Sequence, residues 1–107
     1  MTRVLGFDWD EGNLAKCRKH GVSVEEIEFI LSNDPIVSPD MTHSLDEQRM
    51  IAVGRNAKGR PIFVAYTVRE RGDLTFVRPV SARYMNSKEA ERYESQTGGQ
   101  STRSHNG

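Results

Sequence analysis

The stretch PIFVAYTVRERGDLTFVRPVSAR, residues 61–83, constrains this chain more than any other. Two runs rich in Ile, Phe, Val, Tyr and Thr flank the tight-turn triplet Arg71-Gly72-Asp73. Such residues suit a pleated, half-buried surface, and a short glycine-containing link joins two such runs antiparallel. The runs span 61–69 and 74–83. A third run, 49–55, leads into the first across the turn Ala57-Lys58-Gly59-Arg60. Three consecutive strands with short connections predict an antiparallel meander. A chain of 107 residues holds one such domain around a small core.

The flanks read as helices. Residues 3–9, RVLGFDW, predict a first strand, and Asp10 an N-cap for a helix over 11–19. Lys19-His20-Gly21 closes it with cations and a glycine able to take the left-handed conformation. Ser23-Val24-Glu25-Glu26 has the capping-box pattern, and Ile27, Ile30 and Leu31 form an apolar helical stripe. Asn33-Asp34-Pro35 ends that second helix. Ile36-Val37 reads as a brief edge strand before a polar loop over 38–45. Asn86 or Ser87 caps a last helix over 88–95. The order predicts an α+β fold: an antiparallel sheet of three to four strands, with two N-terminal helices and one C-terminal helix on one face. The other face, or the rim, is then open to a ligand. Residues 1–95 form the expected domain. Residues 96–107, ending in TGGQSTRSHNG, offer no apolar anchor and are expected to be a disordered tail.

Charge is balanced overall but not along the chain. Residues 1–48 hold four Lys or Arg against ten Asp or Glu, and residues 49–107 hold eleven against five. Such asymmetry fits a polyanionic ligand on the basic half, and equally fits two halves that attract each other. No apolar run approaches a membrane span, and the N-terminus lacks the apolar stretch of a signal peptide. The single cysteine, Cys17, has no disulfide partner and no zinc-like spacing, which suits a reducing cytoplasm. Asp8 and Asp10 alternate as strand residues would and so are expected to point apart, not to form a carboxylate pair. The turn G-R-N-A-K-G lacks the pattern of a phosphate-binding loop.

Taken together, FDWDEGN, KHGVS, IAVGR, GRPIFVAYT and RPVSARYMNSKEAERYE, in that order, resemble the BrnT family of toxins. The likeness covers residues from about 5 to 94. It implies a fold similar to the RelE-type ribonucleases and a toxin from a bacterial type II toxin–antitoxin pair. It further implies an endoribonuclease without cofactor or metal that inhibits translation. The implied partner is a ribbon-helix-helix antitoxin, BrnA-like, in an even-numbered complex that meets DNA only through the antitoxin. Two positions depart from the family pattern: Cys17, where Asn is common, and Pro79, where an apolar β-former is usual. Proline cannot donate a ladder hydrogen bond, so Pro79 predicts an edge or a bulge. The alternative reading is a catalytically inactive interaction or nucleic-acid-binding module on the same fold.

Metal-free RNA cleavage needs a base for the 2′-hydroxyl, cations for the phosphorane and an acid for the leaving oxygen. Arginine suits the middle task because its planar fork stays charged and grips two phosphate oxygens. His43 titrates near neutral pH, and Glu47 stands close enough in sequence to orient it. Arg69 shares a strand face with Phe63, Ala65 and Thr67. Arg83 ends the next strand and, by alternation, points opposite to Arg78. His43, Glu47, Arg69 and Arg83 are the expected catalytic set, with Arg69 and Arg83 as the phosphate clamp. Arg49, Arg71, Arg78 and Tyr93 are the expected RNA contacts. The plain alternatives are salt bridges from Arg69 and Arg83 to Glu89 or Asp46, a loop-capping or packing role for His43, a helix-docking role for Tyr93 and a solvated strand end for Arg49. Lys19 and His20 are expected to close a helix, and Trp9 to pack in the core.

Overall fold

The computed structural model describes residues 3–42 and 48–105, with side chains described for 6–42 and 48–96. Strand β1 (Arg3–Phe7) leads into helix α1 (Glu11–Arg18), then helix α2 (Val24–Ser32). Strands β2 (Ile36–Pro39), β3 (Met50–Arg55), β4 (Pro61–Arg71) and β5 (Leu74–Tyr84) follow, and helix α3 (Ser87–His105) ends the chain. The α+β class holds, but two expectations need correction. Among the described residues the sheet has five strands, in the order β1-β5-β4-β3-β2. It is mixed, because β1 pairs parallel with β5 while the other neighbours are antiparallel. Sequence alternation along β1 carries no sign of which strand it will join, or in which direction.

Local chemistry placed the helix ends. Asp10 caps α1: its Oδ1 accepts from the Asn13 amide, and Asn13 Oδ1 accepts from the Asp10 N–H at 2.7 Å. Gly21 follows the helix at φ 86°, where a side chain would be strained. Ser23 and Glu26 form the expected capping box of α2. α3 continues past the end expected at residue 95. Once a helix is nucleated, each added residue gains one hydrogen bond, so weak helix formers can extend it.

The helices lie on both faces of the sheet, not on one. Ala52, Ile62, Val64 and Ala82 share one face and pack with Cys17, Val22, Ile27 and Ile30 of the α1–α2 layer. Full burial of each isoleucine contributes about 1.5–3 kcal/mol. Gly54 lets α2 approach closely, since a Cβ there would stand 3.2 Å from Ile30. Trp9 packs against this core while its indole N–H donates to Glu28. On the opposite face Val53 and Ala65 are buried, as are Met85 and Ala90. Arg55 and Arg83 belong to that face by register and pair with Glu94 and Glu89 of α3.

Pro79 stands in β5 beside a bulge, one of the two outcomes its ring predicts. Ala65 faces Ser81, and Tyr66 faces Pro79, so Val80 is an extra residue on β5. β1 reaches only as far as the bond from Asp8 N–H to Val77 O, at 2.8 Å. The next carbonyl, that of Pro79, accepts instead from Asn13 Nδ2 at 2.8 Å, and the same amide donates to Asp8 O. Asn13 thus continues the ladder where β1 ends.

Asn13 is 3% exposed. Asn13→Ala strands these carbonyls and opens the α1 cap. The expected loss is about 1–3 kcal/mol, read as a fall in the urea midpoint at constant slope.

Glu26 gathers a second network: it accepts from Ser23 N, Asn56 Nδ2 and Tyr84 Oη. Burial opposes its ionisation, yet these hydrogen bonds outweigh burial and hold its carboxyl below the ordinary 4.5. The folded state therefore binds that proton less readily than the unfolded chain. This stabilisation is complete above pH 4.5 and is lost as pH falls through the folded value beneath it. Unfolding midpoints measured across the acid range should show a drop in wild type that is shallower in Glu26→Gln.

Candidate nucleic-acid interface

β4 and β5 carry four of the expected arginines, and the bulge decides where they point. In a regular strand Arg78 and Arg83, five residues apart, would face opposite ways. The extra residue at Val80 changes the phase between them. Arg83 stands across from Phe63, and Arg78 across from Thr67, two residues on one face of β4. Arg69 and Arg71 share that face, opposite Phe76 and Leu74. The expected opposition of Arg78 and Arg83 is therefore corrected, and all four arginines belong to one side of the hairpin. Ring contacts agree: the Arg83 guanidinium lies 4.4 Å from the centre of Phe63, and that of Arg71 lies 5.4 Å from Phe76.

Internal carboxylates hold Arg83, Arg78 and Arg71. Arg83 meets both carboxylate oxygens of Glu89, at 3.0 and 2.8 Å. This bidentate bond, the largest influence on both partners, pushes the Arg83 pKa up and holds Glu89 below its ordinary value. Arg78 lies 3.0 Å from Asp10 and 3.7 Å from Asp8, and Arg71 lies 3.5 Å from Asp8. Asp8 and Asp10 thus converge on Arg78 instead of pointing apart. The strand stops at Phe7, so the two-residue alternation does not reach Asp10. Asp10 is held below the ordinary carboxylate value first by the Asn13 amide and then by Arg78.

Two cavities flank the arginine face. One, of about 310 Å³, is lined by Glu89, Arg92, Tyr93 and Gln96. Half-buried Tyr93 therefore borders open space on α3. The other, of about 200 Å³, is lined by Gly12, Asn13, Lys16, Arg49, Arg78 and Val80. Arg49, just ahead of β3, comes together there with Arg78. Lys16 and Asn13 escaped the sequence reading. The signals available were the Asp10–Asn13 cap and the four-residue spacing of Gly12 and Lys16, which puts them on one helix face.

His43 and Glu47 lie outside the described residues, as does Asp46. Lys19 and His20 are exposed beyond α1. Cys17 is buried, and burial pushes its thiol up to about 11, which keeps it protonated at neutral pH. Among the described residues no helix is long and apolar enough to cross a membrane.

Against this geometry, a family comparison is decisive. The family described as "Ribonuclease toxin, BrnT, of type II toxin-antitoxin system" matches residues 9–89. The chain belongs to the BrnT family. The match covers the arginine-bearing strands and every residue lining the cavity by α1, and membership brings with it a ribonuclease toxin's role and an antitoxin as partner. No individual curated protein matches the chain at a significant level.

The Arg83–Glu89 pair is partly exposed, at 41% and 23%, so its worth is modest. A double-mutant cycle of Arg83→Ala and Glu89→Ala should give a coupling of about 1 kcal/mol by chemical denaturation. A coupling near zero would mean that the pair does not fasten α3.

Proposed function

We propose that this BrnT-family chain cleaves RNA without a metal ion and thereby blocks translation in the cytoplasm. Its antitoxin is a ribbon-helix-helix protein, BrnA-like, in an even-numbered complex that reaches DNA through the antitoxin alone. The reading takes the fold as RelE-like. The observation that carries it is the gathering of Arg69, Arg71, Arg78 and Arg83 on one face of β4 and β5. Cations so concentrated, and partly oriented beforehand by carboxylates, suit a phosphate whose charge grows during cleavage.

The roles follow from the chemistry. Arg69 and Arg78 grip the scissile phosphate, with Arg71 adding charge beside them. Arg83 works mainly through its place in the sheet and its bond to Glu89. His43 supplies the titrating group, oriented by Glu47. Tyr93 stacks a base at the edge of the α3 cavity. The ion pairs favour a second reading, a catalytically inactive interaction or nucleic-acid-binding module: Arg71, Arg78 and Arg83 all have carboxylate partners within the chain.

Turnover separates the two. Induced expression of wild type should arrest growth, and the purified chain should cut single-stranded RNA in excess EDTA. Arg69→Ala and Arg78→Ala should each slow cleavage about 10²–10³-fold. His43→Ala should remove the neutral limb of the pH–rate profile. Cleavage abolished by EDTA and restored by a divalent ion overturns the metal-free mechanism. Intact RNA at every condition, with growth unaffected, leaves the inactive module.

A further inference from the structure

The cavity between α1 and β5 differs from its neighbour in one respect. Among the described residues its lining holds three cations, Lys16, Arg49 and Arg78, and no carboxylate, whereas Glu89 lines the cavity on α3. Three cations gathered around one hollow favour an anion there, and the pairs of Arg78 with Asp10 and Asp8 offset only part of that charge. The three come from three separate elements: Lys16 from α1, Arg49 from the approach to β3 and Arg78 from β5. No single helix or turn places them together.

We infer that this cavity is a second phosphate seat, which holds a backbone phosphate of RNA next to the scissile one, with the Arg78 guanidinium shared between the two. The inference rests on the ribonuclease reading and adds Lys16 as a binding residue. Arg78 is 17% exposed on its side chain, so its charge is weakly screened. Its contacts to Asp10 and Asp8 do not exhaust the five N–H donors of a guanidinium. Those contacts fix the plane of the group, which lowers the entropy lost when a phosphate binds. Asn13 is a positioning residue: both carbonyls it holds, of Asp8 and Pro79, keep α1 against β5, and the cavity lies between them. Lys16, exposed on α1, adds a flexible charge to the lining.

The test uses the full chain and a single-stranded RNA oligonucleotide protected by 2′-O-methyl groups, so that binding is read without cleavage. Lys16→Ala should weaken binding roughly tenfold at low salt, the value of one charge-assisted contact. It should also reduce the slope of log affinity against log salt by about 0.7. Lys58→Ala, in the β3–β4 turn away from both cavities, is the control and should change neither. If Lys16→Ala behaves as Lys58→Ala while wild type still cuts unprotected RNA, the seat is wrong and the nuclease reading stands. If binding depends on Lys16 but no RNA is cut, the seat stands and the nuclease reading falls. Inorganic phosphate or a mononucleotide binding as tightly as the oligonucleotide would reassign the cavity to a small anion and overturn the RNA seat. Failure of wild type to bind the oligonucleotide overturns both.

Discussion

The hydrogen bond from the Asn13 amide to the Pro79 carbonyl is the joint on which the basic face depends. Pro79 cannot donate to a neighbouring strand, and β1 ends just before it. A buried carbonyl left bare there would cost about 1–3 kcal/mol. Asn13 satisfies it at 2.8 Å and, through the same side chain, caps α1 and holds Asp8 O. One residue thus allows a proline in a central strand, and with it the bulge at Val80. The bulge turns Arg78 to the side that Arg83 already occupies.

Gathering arginines on one face carries an electrostatic cost, and the acidic N-terminal half offsets part of it. Asp8 and Asp10 pair with Arg71 and Arg78, and Glu89 pairs with Arg83. The opposite charges of the two chain halves therefore attract each other across the fold. Beside these pairs, Lys16, Arg49 and Arg78 line one cavity in whose wall the described residues place no acid. An ion pair of this kind holds a guanidinium in place without neutralising every donor. For a group that stabilises developing charge, a fixed orientation is worth more than freedom.

Much of the fold was legible because it is local. The caps at Asp10 and Ser23, the stop at Asn33-Asp34-Pro35 and the turn glycines Gly21, Gly59 and Gly72 each follow from the chemistry of a few neighbouring residues. The arginines of the site were legible as residue types at strand ends. Their company was not. Asp10 left the alternation of β1 because it caps a helix, so it meets Arg78. Lys16 reads as one more solvated cation until α1 is laid along β5.

Sequence alone determined the α+β class, the three meander strands, the capped helices and the arginines along the meander strands. Tertiary structure decided that β1 runs parallel to β5, that α3 packs on the face opposite α1 and α2, and that Arg78 and Arg83 share a side. The reason is the range over which each is set. A cap or a turn is settled within a few residues. The phase of a strand is set by pairing with distant partners, and with a side-chain period of two, one extra residue reverses every face beyond it.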